Sequence, residues 1–195
     1  MEIKDLFSYI GFLIVKLGPL FMVFYFILDS IFQANTKGIM YIIGICITVI
    51  LTIIIGNTIS FKNPDTPIND FCFPISIENF VNISNLPLSQ SIYGFTFLYI
   101  FIPLLKYQFM YHNAVFFVLF FLLILTDFTL LMNYNCFSVQ QAVFSLLIGG
   151  IIGTIYISML LKSRKKNIIY IPGIPQSQLC DLPKRKAYKC ELKTN

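Results

Sequence analysis

The stretch AVFFVLFFLLILTDFTLLM, residues 114–132, decides the class of this protein. It is mainly apolar, and one charged side chain, Asp127, lies within it. The hydrocarbon core of a bilayer is ~30 Å thick, and a helix needs about 20 mainly apolar residues to cross it. The stretch therefore predicts a transmembrane helix.

The composition of the whole chain indicates the same class. Of its 195 residues, 57% are hydrophobic and only 12% are charged, and the mean hydropathy is +0.78. A soluble domain carries about 25% charged residues, and it could not hide so many Phe, Ile and Leu side chains from water. The solvent for most of this chain must therefore be lipid.

Four further stretches have the length and apolarity of membrane spans. The first is interrupted by Lys16 and Pro19, and it is too long and too mixed in charge to be a cleaved signal peptide. The sequence predicts an all-α, polytopic transmembrane helical bundle in residues 1–162, followed by a basic tail in residues 163–195. The predicted spans, about five, cover residues 6–32, 39–60, 91–107, 114–132 and 139–161.

The basic residues predict the orientation of this bundle. Nine of the fourteen Lys and Arg residues lie between Lys162 and Lys193, and cytoplasmic segments carry such an excess. We therefore expect a cytosolic C-terminus, in the endoplasmic reticulum or in a membrane derived from it, including a viral one. With five spans, the loop of residues 61–90 and the turn around Cys136 then share the outer face.

Two covalent features belong to that outer face. Asn82 begins an Asn-Ile-Ser glycosylation sequon, which is used only where it faces the lumen. Cys72 and Cys136 are predicted on the same side of the membrane, where a disulfide between them can form. The alternative is that both cysteines stay free and buried.

The sequence predicts no metal or cofactor site. Its five cysteines are scattered singly and its one histidine is His112, so the spacing of zinc ligands is missing. The formal charge of +5 comes from basic residues beside the membrane, where they act as a topology signal or contact lipid headgroups. We expect membrane lipid and a protein bound to the tail as partners, and we do not expect nucleic acid.

Polar residues at the outer ends of the spans mark three candidate clusters. Ser89 or Ser91 in the second cluster is expected to cap the third span. An amide such as Gln141 at the start of a span is costly unless it faces protein, water or a headgroup. The clusters are Asn57 with Lys62, Pro87 to Ser91, and Phe137 to Gln141.

Other residues inside the spans have structural interpretations. Ser145, Gly149 and Gly153 form a small-residue stripe at helical spacing, which lets another helix approach closely. Lys16 and Asp127 are the deepest charges, and such residues are functional candidates. The favoured interpretation is nevertheless structural, because Lys16 can extend its amine to the interface and Asp127 lies about a turn and a half from the end of its helix.

The order of these segments resembles the type 2 phosphatidic acid phosphatase superfamily, and most closely its dolichyl-diphosphatase branch. Gly56–Lys62 resembles the lysine motif of that family, and Asn85–Ser91 resembles its Pro-Ser-Gly-His-type middle motif. Phe137–Gly149 resembles the last motif with its glycine ladder, and Leu17–Phe21 resembles the opening of the dolichyl branch. The resemblance covers roughly residues 8–161.

The resemblance implies a known mechanism. A histidine of the last motif attacks phosphorus to form a phospho-enzyme, and a histidine of the middle motif protonates the leaving group. A lysine and two arginines hold the phosphate oxygens. In this sequence Lys62 and Gln141 match the family pattern.

The remaining catalytic positions depart from that pattern. Phe137 stands at the nucleophile, Gln90 at the acid and Leu131 at an arginine, and Asn69-Asp70 stands where the family has Arg-Pro. The chain has one histidine and two arginines in total, and both arginines lie in the tail. Two histidines and two arginines cannot be gathered at one outer site from these, and losing the nucleophile alone costs several orders of magnitude in rate.

The sequence therefore predicts a catalytically inactive relative of the membrane lipid phosphatases. Its vestigial outer pocket could still hold a phosphate or prenyl-phosphate headgroup, and it would consist of Lys62, Ser89, Gln90, Phe137 and Gln141.

Three alternatives stay open. The main one is a structural or assembly protein of an organelle or viral membrane, which uses the basic tail to bind a partner or anionic lipid. An enzyme that uses a metal with Asp65, Asp70 or Asp127 has little support, because these carboxylates are dispersed. A transporter or scramblase is disfavoured because no inverted internal repeat is evident.

Overall fold

The computed structural model describes residues 15, 17–32, 37–59, 84–108 and 110–163. These residues form five α-helices, a short 3₁₀-helix and no strand, so the predicted all-α class is confirmed. The helices are α1 (Gly18–Phe32), α2 (Lys37–Thr58), α3 (Leu88–Lys106), α4 (Ala114–Asn133) and α5 (Val139–Lys162), and the 3₁₀-helix is Tyr111–Asn113.

Four of the helices, α2 to α5, are long and apolar enough to cross a membrane. Many of their apolar side chains lie on the outer surface of the bundle and not in its core. Such a surface is stable where the surrounding solvent is hydrocarbon. The described part of α1 is apolar but spans only 15 residues. The chain is an integral membrane protein with several spans, as predicted.

Helix α3 begins three residues earlier than the sequence predicted. Leu88, Ser89 and Gln90 form its first turn, whereas the predicted span begins at Ser91. Pro87 lies at the N-cap with an extended backbone, and a proline is tolerated there because the first amides of a helix have no intrahelical acceptor. The polar pair Ser89-Gln90 is typical of a loop, but here both side chains form hydrogen bonds with Asp127 on α4.

The helices alternate in direction, so the bundle has two distinct ends. At one end α2 and α4 finish and α3 and α5 begin; we call it the junction end. At the far end Gly38 N donates to Ser30 Oγ at 3.3 Å and joins the start of α2 to the end of α1. The 3₁₀-helix Tyr111–Asn113 also lies at the far end, between α3 and α4.

Helices α3 and α5 run parallel and pack most closely. Gly149 faces the backbone of Ser91, and a Cβ at Gly149 would collide with the Ser91 carbonyl. One turn further on, a Cβ at Gly153 would lie 2.7 Å from the Phe95 carbonyl oxygen. Small residues allow two helix backbones to approach this closely, and they fix the register of α3 against α5.

An aromatic cluster fills the space between α1, α2, α3 and α5. The rings of Phe95 and Tyr99 stack with centroids 5.6 Å apart, and Tyr41 lies 5.4 Å from Tyr99. Tyr41 Oη is 2.8 Å from Thr96 Oγ1, and Tyr156 Oη donates to the carbonyl of Met40 at 2.7 Å. These hydroxyl contacts join the apolar helices at the level of the aromatic cluster.

Candidate functional site

Parts of all three motif-like segments meet at the junction end. Asn85 Nδ2 donates to the carbonyl of Gly56 at 3.2 Å, which joins the start of α3 to the end of α2. Gln141 Nε2 donates to the carbonyl of Asn85 at 3.0 Å, and Ser145 Oγ donates to the carbonyl of Pro87 at 2.7 Å. We call this set, Gly56, Asn85, Pro87, Gln141 and Ser145, the junction.

Gln141 occupies the centre of the junction and also caps its own helix. Its Oε1 accepts from Ser138 N at 2.7 Å, while Ser138 Oγ accepts from Gln141 N at 3.3 Å. This reciprocal pair is a capping box. Both ends of the Gln141 amide therefore have protein partners, which explains how it is buried without being left unsatisfied.

A buried carboxylate lies beside the junction. Ser89 Oγ and Gln90 Nε2 each donate to Asp127 Oδ2 at 2.8 Å. The side chains of Gln90 and Asp127 are completely buried, and Ser89 is half-buried. We call Ser89, Gln90 and Asp127 the carboxylate cluster; it joins the first turn of α3 to the last two turns of α4.

The amide of Gln90 is only half satisfied. Its nitrogen donates to Asp127, but its Oε1 is buried and has no hydrogen-bond partner. A buried polar atom without a partner costs ~1–3 kcal/mol. Such an atom is uncommon in a native protein.

The serines of the middle segment do not cap α3, so that expectation was wrong. The N-cap is Pro87 and no side chain caps the helix. Ser89 is drawn away by the Asp127 carboxylate, and Ser91 Oγ lies 2.6 Å from Thr52 Oγ1 on α2. A hydrogen bond from a hydroxyl to a carboxylate is stronger than the neutral hydrogen bond that the same hydroxyl would form as an N-cap with a backbone amide.

The other predicted site residues fall into two groups. Phe137 is half-buried and packs against Leu131 and Cys136 in a small apolar cluster. Lys62, Asn82 and Cys72 lie outside the described residues, so no geometry tests them. Four residues of the predicted pocket are therefore described by the structure: Ser89, Gln90, Phe137 and Gln141. Ser89 and Gln90 both donate to the Asp127 carboxylate.

Cys136 forms a disulfide bond. Its partner lies outside the described residues, because Cys46, on the outer surface of α2, is free. The pairing of Cys136 with Cys72 stays a prediction.

The sequence predicts Asp127 to be a structural charge, but it does not predict the hydrogen bonds from Ser89 and Gln90 to this carboxylate. A signal was present, because Asp127, Ser89 and Gln90 all lie at span ends on the predicted outer face. The sequence does not determine how α4 is rotated about its axis, and this rotation turns Asp127 toward α3. Among the described residues, no group of three His, Cys, Asp or Glu side chains could hold a metal ion.

Comparisons with protein-family profiles, with curated proteins and with solved structures found no match to this chain. The likeness to the lipid phosphatases therefore rests on the residues described above.

Proposed function

We propose that this integral membrane protein is a catalytically inactive relative of the membrane lipid phosphatases, located in the endoplasmic reticulum or a membrane derived from it. The observation that carries the proposal is the junction. Gly56, Asn85 and Gln141 come from three segments far apart in the chain, and two hydrogen bonds join them at one end of the bundle. The resemblance requires the three motifs to meet in this way.

The chemistry available at the junction supports inactivity. Phe137, at the nucleophile position, has no nucleophilic atom, and the Gln90 amide at the acid position does not release a proton. The one histidine of the chain, His112, belongs to the 3₁₀-helix at the far end. Helix α3, of 19 residues, separates that end from the junction, and this length corresponds to about 28 Å.

The described polar groups at the junction end are already used in contacts within the protein and do not by themselves form a site for a phosphorylated headgroup. The donors of Ser89 and Gln90 point to the Asp127 carboxylate, and the Gln141 amide is used within the junction. An anion placed there would be repelled by Asp127 unless a cation intervened. Headgroup binding therefore depends on Lys62, and we expect Lys62→Ala to abolish any retention of prenyl phosphate.

The second candidate is a structural or assembly role, with the basic tail binding a protein or anionic lipid. The same contacts favour it, because they use the polar groups of the motif segments to hold helices together. Truncation after Lys166 separates the two candidates. Loss of partner capture with an unchanged bundle supports the structural role, whereas unchanged capture contradicts it.

A phosphatase assay tests the main proposal. The full-length protein, purified in mixed micelles, is offered phosphatidic acid and a prenyl diphosphate, and released phosphate is measured beside an active family member. We expect no release above the protein-free background. Release that disappears in Lys62→Ala would show a working active site and would overturn the proposal.

A further inference from the structure

Two parallel helices end side by side at the far end of the bundle, and each has an exposed lysine in its last turn. These are Lys106 on α3 and Lys162 on α5. The close contact of Gly153 with Phe95 fixes the register of the two helices. In this register Lys162 is level with the second residue before Lys106, so the two lysines differ in height by about 3 Å.

The end of α5 projects from the hydrocarbon core of a bilayer. Its 24 residues correspond to about 36 Å, whereas the core is ~30 Å thick. Met159, one turn before Lys162, is apolar and 65% exposed, as expected of a side chain in contact with lipid chains. The change from an exposed methionine to an exposed lysine within one turn places Lys162 at the level of the lipid headgroups, where its amine reaches water.

More basic residues follow Lys162 in the sequence. Residues 164–166 are Arg-Lys-Lys, and they come directly after Ser163, where α5 ends. Three residues of chain span at most ~11 Å, about one Debye length at 0.1 M salt, so their charges stay within the field of the membrane surface. No Asp or Glu lies in the sequence between Asp127 and Asp181 to neutralise them. We call the following five residues the basic rim: Lys106, Lys162, Arg164, Lys165 and Lys166.

Ser163 lies in the middle of the basic rim. Its N–H donates to the carbonyls of Met159 and Leu160, so its backbone is held by the end of α5. The residue is exposed and its backbone is extended, which leads the chain out of the helix. A serine with these properties and with basic neighbours on both sides is accessible to a protein kinase. A phosphate on it would carry about −1.5 to −2 charges at pH 7 and would offset about two of the five positive charges.

We propose that the basic rim binds the headgroups of anionic phospholipids, and that phosphorylation of Ser163 releases it from them. A cluster of about four or more Lys and Arg residues directly after a membrane span attracts an anionic leaflet, and phosphorylation weakens that attraction. In the modification, Ser163 Oγ forms a bond to the γ-phosphorus of ATP while the bond from that phosphorus to the bridging oxygen breaks. ADP leaves, and the hydroxyl proton is released to solvent.

This inference rests on the second candidate function, the structural role of the tail, and gives that role a lipid partner and a means of regulation. It also divides the tail. The residues next to α5 bind lipid, whereas the distal cluster at Lys184, Arg185 and Lys186 is left for other partners.

Lipid retention tests the binding part. The full-length protein is exchanged into mixed micelles that contain equal amounts of phosphatidylserine and phosphatidylcholine with the same acyl chains, and the lipids that stay bound are counted by native mass spectrometry. Each basic residue near an anionic surface contributes a factor of about five in binding. We therefore expect at least ten molecules of phosphatidylserine for each phosphatidylcholine; equal retention would overturn the proposal.

Two triple variants remove the same number of charges from different parts of the tail. One changes the tail residues of the basic rim and the other changes the distal cluster. We expect the preference for phosphatidylserine to fall at least tenfold in the first and to stay within twofold in the second. An equal fall in both would mean that the basic rim is not the site. The variants are Arg164→Gln/Lys165→Gln/Lys166→Gln and Lys184→Gln/Arg185→Gln/Lys186→Gln.

A single substitution tests the part of the rim that belongs to α3. Lys106 is distant from the tail in sequence, and only the packing of α3 beside α5 brings it to the same level. We expect Lys106→Gln to lower the preference for phosphatidylserine about fivefold and Lys184→Gln to leave it unchanged. No effect of Lys106→Gln would overturn its assignment to the basic rim.

The regulatory part is tested by phosphorylation. The full-length protein in phosphatidylcholine nanodiscs is treated with ATP and a kinase that selects serines flanked by basic residues, and the phosphate is located by mass spectrometry. We expect it on Ser163, and we expect the modified protein to prefer phosphatidylserine about tenfold less in the micelle assay. Ser163→Asp should lower the preference about fivefold. Ser177→Asp, which adds the same charge with no basic residue within five positions, should not lower it. An unmodified Ser163, or unchanged lipid retention after phosphorylation, would overturn the regulatory part.

Truncation after Lys166 distinguishes this inference from the function on which it rests. The truncated protein keeps the whole basic rim, so we expect it to retain phosphatidylserine as the intact protein does, even where it no longer captures a protein partner. Loss of lipid retention with unchanged capture of the protein partner would overturn the inference, whereas unchanged retention with unchanged capture would contradict the structural role and leave the lipid site in place.

Discussion

Asp127 shows how one residue can hold two helices together within a membrane. A carboxylate in hydrocarbon is expensive and is found paired or hydrogen-bonded. Here its Oδ2 accepts from both Ser89 and Gln90, so the first turn of α3 is attached to α4 through a charged acceptor. Hydrogen bonds to charged groups contribute ~1.5–3 kcal/mol, more than those between neutral groups.

Removing one donor of the carboxylate cluster should destabilise the bundle. We expect Gln90→Leu to lower the free energy of unfolding by about 2 kcal/mol, because Asp127 loses a donor while staying buried. Unfolding is followed in detergent by circular dichroism against denaturant. Thr126→Val is the control, since the Thr126 hydroxyl is exposed and bonds only within its own helix, to the carbonyl of Leu123.

A second substitution separates this loss of pairing from a change in shape. Adding Asp127→Leu to Gln90→Leu removes the charge as well, and exchanging both partners for apolar groups is often nearly neutral. We expect the double variant to recover at least half of the lost stability. A double variant that is less stable than either single one would show that the cluster does not act as a pair.

At the scale of the element, the register of α3 against α5 is set by backbone contact. Gly149 and Gly153 face carbonyl groups of α3. At Gly150, the next residue after Gly149, an added Cβ would lie 3.1 Å from Cδ1 of the flexible Leu98 side chain. The two neighbouring glycines therefore differ in what an added methyl group would meet. This difference makes them a matched pair.

Gly149→Ala should weaken the interface and Gly150→Ala should not. The new methyl group at Gly149 collides with the Ser91 carbonyl, and such overpacking costs ~1–3 kcal/mol. At Gly150 the Leu98 side chain can move, and alanine gains up to about 1 kcal/mol over glycine within a helix. Melting temperatures of the purified variants check this, and equal melting temperatures would contradict the proposed close approach.

The positions of the helices in the sequence were largely predictable, whereas the contacts between the helices were not. The stretch 114–132 differs from α4 by one residue at its end, because a long apolar run determines a span by itself. The sequence did not predict the start of α3, because Leu88-Ser89-Gln90 is typical of a loop. In the structure Asp127 accepts hydrogen bonds from Ser89 and Gln90 in this first turn. The junction likewise depends on how α2, α3 and α5 pack, and no local pattern in the sequence encodes those contacts.

At the scale of the whole molecule, the disulfide of Cys136 relates the fold to its compartment. Disulfides persist in oxidising compartments such as the lumen of the endoplasmic reticulum and are rare in the cytosol. Cys136 lies in the turn between α4 and α5, at the junction end. This supports the predicted orientation, with the junction end in the lumen and the basic tail in the cytosol.

The partner of Cys136 is predicted to be Cys72, which is the one cysteine in the segment between α2 and α3. We expect Cys136→Ser and Cys72→Ser to cause the same loss of fast migration on non-reducing gels, and Cys46→Ser to cause none. A further loss in the double variant Cys72→Ser/Cys136→Ser would mean that the two cysteines have different partners.

The orientation itself is tested by single cysteines at the two ends of the bundle. Tyr111 is 90% exposed at the far end, and Asn133 is exposed at the end of α4, on the junction side. In sealed microsomes the cytosolic face is outside, so a membrane-impermeant maleimide should label Tyr111→Cys at once and Asn133→Cys only after detergent is added. Both variants are made in a Cys46→Ser/Cys180→Ser/Cys190→Ser background, so that the introduced cysteine is the one added to Cys72 and Cys136. The reverse labelling would place the basic tail in the lumen, against the bias of Lys and Arg toward the cytosol, and immediate labelling of both would mean that α4 does not cross the membrane.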